Sequence, residues 1–501
     1  MPEPIKPNQS VHPILPILRG VIRPAVYLSQ NLISRVGVVL TTTAGITLVF
    51  AFILLIVGVQ PSPYAGIVVF MILPGIFALG LILIPIGIIR DLRKFRRLGT
   101  LPLTYPTVDF SHPGVRRTLL FIAVMTAINV PIFAFATYQG TVFMESTQFC
   151  GQTCHKVMDP EYTAYQRSPH ARVACVECHI GPGAPWFVRS KLSGSYQVLA
   201  VTLNLYPRPI STPIHNLRPA RETCEQCHWP ERFSGDKLVV RTKFADDEKN
   251  SATKTVLLVH IGGRNPDSKL IGIHGRHLGL VSYLPGDLKR QQIPWVSYRN
   301  ADGSVTEYAS TDAPPKADLL ANGERRTMDC MDCHNRPTHT FEMPENAVNK
   351  QMAAGRINPA LPFIHKKAVE LLKVKYRSRE AAENELPEAL REYYRKNYPA
   401  IYDSQRAAID ETARGILYIY EGNVFPEMNI AWGTYPNNLG HTDFSNAENS
   451  FPGCFRCHDG NHKSKDGKEI TQDCNACHSL LAQDEADPKI LHELAGGTDQ
   501  K

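Results

Sequence analysis

Cys175-Val-Glu-Cys178-His179 is one of five strict Cys-x-x-Cys-His motifs in this chain of 501 residues, and a sixth has one extra residue between its cysteines. All twelve cysteines belong to these motifs, with their histidines as follows: Cys150, Cys154 and His155; Cys175, Cys178 and His179; Cys224, Cys227 and His228; Cys330, Cys333 and His334; Cys454, Cys457 and His458; Cys474, Cys477 and His478. The spacing is the signature of c-type haem, whose vinyl groups bond both thiols while the histidine binds iron. Disulfides or zinc sites would not explain the histidine after each second cysteine. The sequence therefore predicts six covalently bound haem c groups, numbered 1 to 6 in chain order.

Apolar residues are concentrated at the front of the chain. The segments 36–59, 65–89 and 119–137 are apolar and contain no charged residue, and each is long enough to cross a bilayer as a helix. We therefore expect a transmembrane region at 35–140 with three helices in the lipid bilayer.

The distribution of basic residues predicts the orientation. Residues 1–140 contain 11 Lys and Arg against 3 Asp and Glu, mostly in the N-terminal tail and in 90–97, whereas the remainder contains 43 against 44. Because basic segments stay on the cytoplasmic side of a membrane, we expect 1–34 in the cytoplasm. The haem motifs are then expected on the periplasmic side of a bacterial inner membrane. The basic balance reflects this topology and predicts no nucleic-acid partner.

The predicted fold is a three-helix transmembrane anchor followed by a periplasmic multihaem domain, mainly α and irregular with a small β-rich insert. Residues 141–230 hold motifs 1 to 3, and 231–345 form the insert with motif 4. Within the insert, 238–244, 255–261 and a hairpin at 295–308 are expected strands. Residues 346–425 are helical in pattern, with breaks expected near Pro387 and Pro399, and 426–501 hold motifs 5 and 6 and a tail.

An electron-transfer haem usually has a second strong axial ligand, and two histidines give a low potential. Five histidines close to the motifs are the first candidates for this distal position: His170, His215, His339, His441 and His462. His274 and His277 compete for one further place. The sequence does not assign any of them to a particular haem.

The first motif follows the third apolar segment by about a dozen residues and has Met158 three residues after His155. Either His155 or Met158 can therefore be a ligand of haem 1. Together with Ser168-Pro-His170 before the second motif and Lys191 in Lys191-Leu-Ser-Gly, this pattern resembles the NapC/NirT/NrfH family of membrane-anchored, quinol-oxidising multihaem cytochromes.

The resemblance implies a quinol site beside haem 1, with menaquinol or ubiquinol as electron donor. It also implies Met158 as ligand of haem 1, His170 as ligand of another haem, and Lys191 at the quinol site. The acidic residue that the family has there falls at Gln197, which departs from the pattern. Asp159, Glu161 and Arg189 are the alternatives.

The leading interpretation is thus a quinol dehydrogenase that passes electrons through six haems to a periplasmic or outer-membrane cytochrome or reductase. Two alternatives remain. One is an electron-transfer subunit whose quinone site lies on another chain. The other is a terminal reductase with an open iron, for which the isolated haem 4 is the candidate.

Overall fold

The computed structural model describes residues 27–56, 68–100, 113–153, 155–214, 217–230, 233, 235–262, 272–441 and 452–496. The chain divides into two compact units, Met1–Thr153 and Cys154–Lys501, and each is described by itself. Two residues of the predicted haem sites, Cys154 and His215, lie outside the described residues.

The first unit consists of long apolar helices. They are α1 (Leu32–Ile56), α2 (Leu73–Leu98) and α3 (Pro113–Glu145), with single π-helical turns at Val68–Ile72 and Phe149–Thr153. Among the described residues, Leu32–Leu54 and Leu73–Leu98 are long and apolar enough to cross a membrane. The third predicted span, 119–137, falls within α3, and its crossing of the membrane stays a prediction.

Small residues bring α1 and α2 close together. A Cβ on Gly80 would lie 2.7 Å from the carbonyl oxygen of Gly37 and would also contact Thr41. One turn further on, Ser34 donates a hydrogen bond to the carbonyl oxygen of Ile84 at 3.0 Å. Small residues that let helix backbones approach each other are the usual means of packing in lipid, where apolar burial contributes little.

The second unit is mostly helical or irregular. Its helices are α4 (His155–Gln166), α5 (Cys175–His179), α6 (Ala184–Thr202), α7 (Ala220–Cys224), α8 (Ile273–His277), α9 (Ala317–Asn322), α10 (Cys330–Cys333), α11 (Pro344–Ala353), α12 (Ile364–Leu372), α13 (Arg379–Asn397), α14 (Pro399–Ser404), α15 (Arg406–Asn423) and α16 (Lys489–Gly496). Its largest apolar cluster lies among α11 to α15, with Leu386, Leu390 and Ile416 fully buried. This cluster contains no haem motif.

The helix α13 corrects one expectation. Pro387 was expected to break a helix, but it lies inside α13, which continues to Asn397. A proline in a helix costs about 3 kcal/mol. The helix continues because Leu386, Leu390 and Tyr394 on one of its faces are fully buried in the cluster. Pro399, in contrast, begins a new helix, α14.

Two small antiparallel sheets complete the unit. The strands are β1 (Lys237–Phe244), β2 (Ala252–Val259), β3 (Val281–Leu284), β4 (Trp295–Arg299), β5 (Val305–Ser310), β6 (Arg326–Thr327), β7 (His462–Lys463) and β8 (His478–Glu485). Their orders are β1-β2-β8 and β6-β3-β4-β5-β7. The predicted hairpin is present, since β4 and β5 pair from Trp295 with Ala309 to Arg299 with Val305. Because β7 follows motif 5 and pairs with β5, and β8 begins at His478 of motif 6 and pairs with β2, the insert and the C-terminal segment fold together.

Candidate haem-binding sites

Each described Cys-x-x-Cys-His motif forms a single helical turn. Motifs 2 and 4 form α5 and α10, motif 3 begins in α7, and motifs 5 and 6 contain the 3-10 turns Gly453–Arg456 and Cys474–Ala476. The amide of His228 donates to the carbonyl of Cys224 at 2.8 Å, and His334 does the same to Cys330. Positions i, i+3 and i+4 share one face of a helical turn. The turn therefore presents two thiols and an imidazole to the same side.

Five of the motif histidines face a second histidine from elsewhere in the chain. The pairs, with the distance between ring centroids, are His179 and His339 at 6.3 Å, His228 and His170 at 6.1 Å, His334 and His274 at 6.3 Å, His458 and His277 at 5.9 Å, and His478 and His441 at 6.3 Å. With metal–nitrogen bonds of about 2.0–2.1 Å and each centroid about 1.1 Å behind its nitrogen, two imidazoles on opposite sides of one metal lie about 6.3 Å apart. The separations therefore fit two axial ligands of one iron.

The hydrogen bonds of the facing histidines fit the same role. The Nδ1 atoms of His277, His339 and His458 contact backbone carbonyl oxygens at 2.7, 2.9 and 2.6 Å, and His274 makes the same contact with Ile261. A carbonyl only accepts, so each Nδ1 carries the proton and Nε2 has a lone pair. This carbonyl contact fixes the tautomer of metal-binding histidines.

Burial favours the neutral imidazole. Desolvation lowers the pKa of His179, His277, His334 and His339. Neutral imidazole is the form that binds a metal, because protonation occupies the lone pair. The Nδ1 atoms of His170 and His478 are buried and have no hydrogen-bond partner among the described residues. The buried, neutral imidazoles of the facing pairs therefore fit the haem groups that the motifs predict.

Two expectations about distal ligands change. His274 and His277 were expected to compete for one place, but they face different motif histidines, His334 and His458. His462, an expected ligand, is 1% exposed. Its Nδ1 lies 2.8 Å from Asp459 and its Nε2 lies 2.6 Å from the carbonyl oxygen of Ile293. Because both nitrogens are occupied, the structure does not support His462 as a ligand.

Glu161, a candidate for the quinol site, contacts one of the facing pairs. Its carboxylate forms an ion pair with Arg336 at 3.0 Å, and its backbone carbonyl accepts from His339. The Arg336 guanidinium lies 4.0 Å from the centroid of the Tyr435 ring. Sequence reasoning missed Arg336, which has no signal beyond its place between motif 4 and His339.

Motif 4 is anchored by a buried carboxylate between its two cysteines. Asp332 accepts hydrogen bonds from the Tyr283 hydroxyl at 2.6 Å and from Arg326 Nε at 2.7 Å. Its other oxygen accepts from the amide of Asp329, and Asp329 caps the same turn through the amide of Met331. Burial and the nearby carboxylate raise the pKa of Tyr283, so the hydroxyl keeps its proton and donates.

Consecutive motifs are also neighbours in space. The helix α7 contacts both α5 and α10, which places motif 3 beside motifs 2 and 4. Arg456 of motif 5 donates a hydrogen bond to the backbone carbonyl oxygen of Asp332 in motif 4 at 2.8 Å. His441 packs on Phe455 of motif 5, with 4.5 Å between the ring centroids, and faces His478 of motif 6. Motifs 2 to 6 therefore follow one another in space in the order of the sequence.

The remaining candidates of the quinol site lie on α4 and α6. Asp159 forms an ion pair with Arg379 at 2.6 Å. On α6, the Lys191 ammonium lies 4.7 Å from the centroid of the Phe187 ring, and Gln197 donates to Ser193 at 3.2 Å. The half-buried Met158 lies one turn after the start of α4 at His155, whose side chain is outside the described part of the chain.

Covalent-attachment turns, facing histidines and apolar N-terminal helices together define a membrane-anchored multihaem c-type cytochrome. The sequence model of the NapC/NirT cytochrome c family, N-terminal region, matches residues 113–209. The chain belongs to the NapC/NirT family of cytochromes c.

Two curated relatives bear this out. The chain is 44% identical over 457 residues to the cytochrome c-type protein ImcH of Geobacter sulfurreducens, covering 90% of this chain and 88% of the relative. It is 35% identical over 78 residues to the cytochrome c-type protein NrfH of Wolinella succinogenes, covering 15% of this chain and 44% of the relative. No solved structure matches the chain.

Proposed function

We propose that this cytochrome oxidises menaquinol or ubiquinol at the periplasmic face of the inner membrane and delivers the electrons to a periplasmic or outer-membrane cytochrome or reductase. The five facing histidine pairs support the electron-transfer part of this proposal, because two strong axial ligands make an iron suited to electron transfer. When bound, each haem iron accepts and releases one electron. The proposal counts six haems, with the first held by Cys150, Cys154 and either His155 or Met158.

The helix α6 supplies the surface for a lipid-soluble donor. Leu192 is 70% exposed and Tyr196 is 65% exposed, and both lie within a turn or two of Lys191. Exposed apolar side chains beside a cation suit a molecule with an apolar tail and polar ring oxygens. We assign Lys191 to the quinol oxygen, where an ammonium group stabilises the negative charge that forms as a proton leaves.

The proposed quinol site also needs a group that accepts a proton from the quinol. Asp159 and Glu161 are held by Arg379 and Arg336, so either carboxylate would have to leave its ion pair to take a proton. Gln197 has no carboxylate to offer. Of the two, Asp159 is the better acceptor because its side chain is 44% exposed against 15% for Glu161.

The rate of haem reduction tests the proposal. A menaquinol analogue is added to the haem-loaded protein in detergent, and the haem α-band is followed for wild type and Lys191→Ala. Since a hydrogen bond to a charged group contributes about 1.5–3 kcal/mol, we expect a loss of about 10- to 100-fold in rate. Lys367→Ala is the matched control, because Lys367 also lies over an aromatic ring, that of Tyr393, but in the helical segment without haem motifs.

The alternatives give different results. A relay subunit would be reduced by dithionite in all its haems but not by the quinol analogue, in either the wild type or the variant. A terminal reductase would show an open iron at haem 4, and the facing pair of His334 and His274 argues against that.

A further inference from the structure

We infer that the single turn α8 binds two different irons, with His274 as distal ligand of haem 4 and His277 as distal ligand of haem 5. This deepens the proposed function, since it rests on the proposed haem loading and names ligands for two of the haems. Neither histidine lies in the region 113–209 that matches the family model.

The ring geometry carries the first step. Two histidines that compete for one iron would both face the same motif histidine. Instead, the His274 ring faces that of His334 at 6.3 Å with 12° between their planes, and the His277 ring faces that of His458 at 5.9 Å with 54°. Both separations fit a shared iron, and the two partners belong to different motifs.

The hydrogen bonds give the second step. Each ring directs Nδ1 to a carbonyl oxygen within its own segment, His274 to Ile261 and His277 to Ile273. Both contacts therefore favour the tautomer with the proton on Nδ1 and the lone pair on Nε2. His260, in the same segment, differs from His274 and His277 because both of its nitrogens have polar partners. Its Nδ1 lies 2.9 Å from the Asp236 carboxylate and its Nε2 lies 3.3 Å from the Ser479 hydroxyl.

The position of the turn gives the third step. The amide of Ile273 donates to the carbonyl of His260 at 2.8 Å, and that of Gly275 donates to the carbonyl of Gly262 at 3.2 Å. A Cβ on Gly272 would lie 2.5 Å from the carbonyl oxygen of His260, so only glycine lets the turn approach so closely. The turn is thus fixed against the end of β2.

The contacts between the motifs give independent support. Arg456 of motif 5 donates a hydrogen bond to the backbone carbonyl oxygen of Asp332 in motif 4 at 2.8 Å. Side chains three positions apart on a helical turn have Cβ atoms about 5–6 Å apart. Motifs 4 and 5 thus lie close enough for His274 and His277 to serve one haem each.

The spin state of the irons tests the inference without any quinol. The full-length, haem-loaded protein is purified as wild type, His274→Gly, His277→Gly and the double variant, and the oxidised forms are examined by electron paramagnetic resonance. Loss of a strong axial ligand turns a low-spin iron into a high-spin iron. We expect one additional high-spin haem in each single variant and two in the double variant, relative to wild type.

Free imidazole and a matched control separate ligation from disturbance of the segment. Imidazole should enter the space left by each ring and return the iron to low spin. His260→Gly should gain no high-spin haem. A high-spin signal that imidazole leaves unchanged, or an equal signal in His260→Gly, would overturn the inference.

The assignment of each ring to its haem needs one more variant. The double variant Cys330→Ser, Cys333→Ser cannot attach haem 4, and its loss is checked by mass spectrometry. In this background, His274→Gly should add no high-spin haem, whereas His277→Gly should still add one. The reverse pattern would overturn the assignment, as would one additional high-spin haem in the double variant of the intact chain. A protein that passes these tests but is not reduced by quinol would refute the proposed donor alone.

Discussion

Asp332 offers the sharpest test of how the chain holds a haem motif. This carboxylate is 2% exposed and lies between the two cysteines of motif 4. It accepts hydrogen bonds from Tyr283, Arg326 and the amide of Asp329, at 2.6, 2.7 and 2.7 Å. Asp332→Ala removes both carboxylate oxygens and with them all three hydrogen bonds, so that the Tyr283 hydroxyl, the Arg326 guanidinium and the Asp329 amide lose this acceptor.

The expected loss follows from these contacts. Removal of one partner of a buried ion pair costs about 3–5 kcal/mol. The lower end applies because the Arg326 side chain is 28% exposed and keeps its contact with Asp329 at 3.0 Å. Tyr283→Phe removes only one hydrogen bond to a charged group and should cost about 1.5 kcal/mol. Asp332→Asn keeps one carbonyl acceptor and should fall between the two.

Guanidinium unfolding of the haem-loaded protein in detergent, followed by circular dichroism, measures these losses as shifts of the midpoint at a common slope. The order of midpoints should be wild type, Tyr283→Phe, Asp332→Asn and then Asp332→Ala. If Asp332→Ala shifts the midpoint no further than Tyr283→Phe, the carboxylate is not the anchor of motif 4 and the reasoning fails.

Three other changes have defined outcomes. Gly80→Leu should lower the thermal midpoint of the solubilised protein, since overpacking costs about 1–3 kcal/mol, whereas Gly75→Leu should not, because a Cβ there meets nothing within 4 Å in the described structure. Glu161→Gln should destabilise the protein by about 1.5–3 kcal/mol in guanidinium unfolding. The same variant loses a negative charge that favours the ferric state. It should therefore raise the midpoint potential of the haem beside His339 in a spectroscopic redox titration. His462→Gln should leave the electron paramagnetic resonance spectrum of the irons unchanged, and a new high-spin signal would restore His462 as a ligand.

The sequence predicts local features of this chain well. The spacing of cysteines and histidine fits one helical turn, and the prediction of haem attachment rests on six such motifs that together use every cysteine. The hairpin of β4 and β5 is equally local, because alternating residues and an Asp-Gly turn specify it. Pro387 shows the limit, since its effect depends on the burial of neighbours such as Leu386 in a core that the local sequence does not reveal.

The pairing of histidines depends on tertiary structure. His170 precedes motif 2 but faces His228 of motif 3, and His339 follows motif 4 but faces His179 of motif 2. A bound haem would lie between its motif histidine and the distal ligand, so the chain next to a motif would remain on the side of its own histidine. A histidine close in sequence is thus badly placed for its own motif and well placed for a neighbour.

His462 shows why proximity alone misleads. It stands four residues after His458, in the same kind of position as His339 relative to motif 4. In the folded chain it begins β7, where Asp459 and the carbonyl of Ile293 hold both of its nitrogens. Counting histidines near the motifs cannot distinguish His462 from His339. The difference is that Asp459 and the carbonyl of Ile293 occupy both nitrogens of His462, and only the folded structure shows this.

The apolar core and the haem motifs occupy different parts of the second unit. The largest buried cluster consists mainly of residues from α11 to α15 and contains none from the motifs, whereas the clusters near Val157 and near Val281 are small. Each facing pair joins two segments that are distant in sequence, so an iron between the rings would tie them together as a cross-link. Where apolar packing is sparse, such ties must replace it. Loss of one haem should therefore loosen two segments at once, while the helical cluster stays folded.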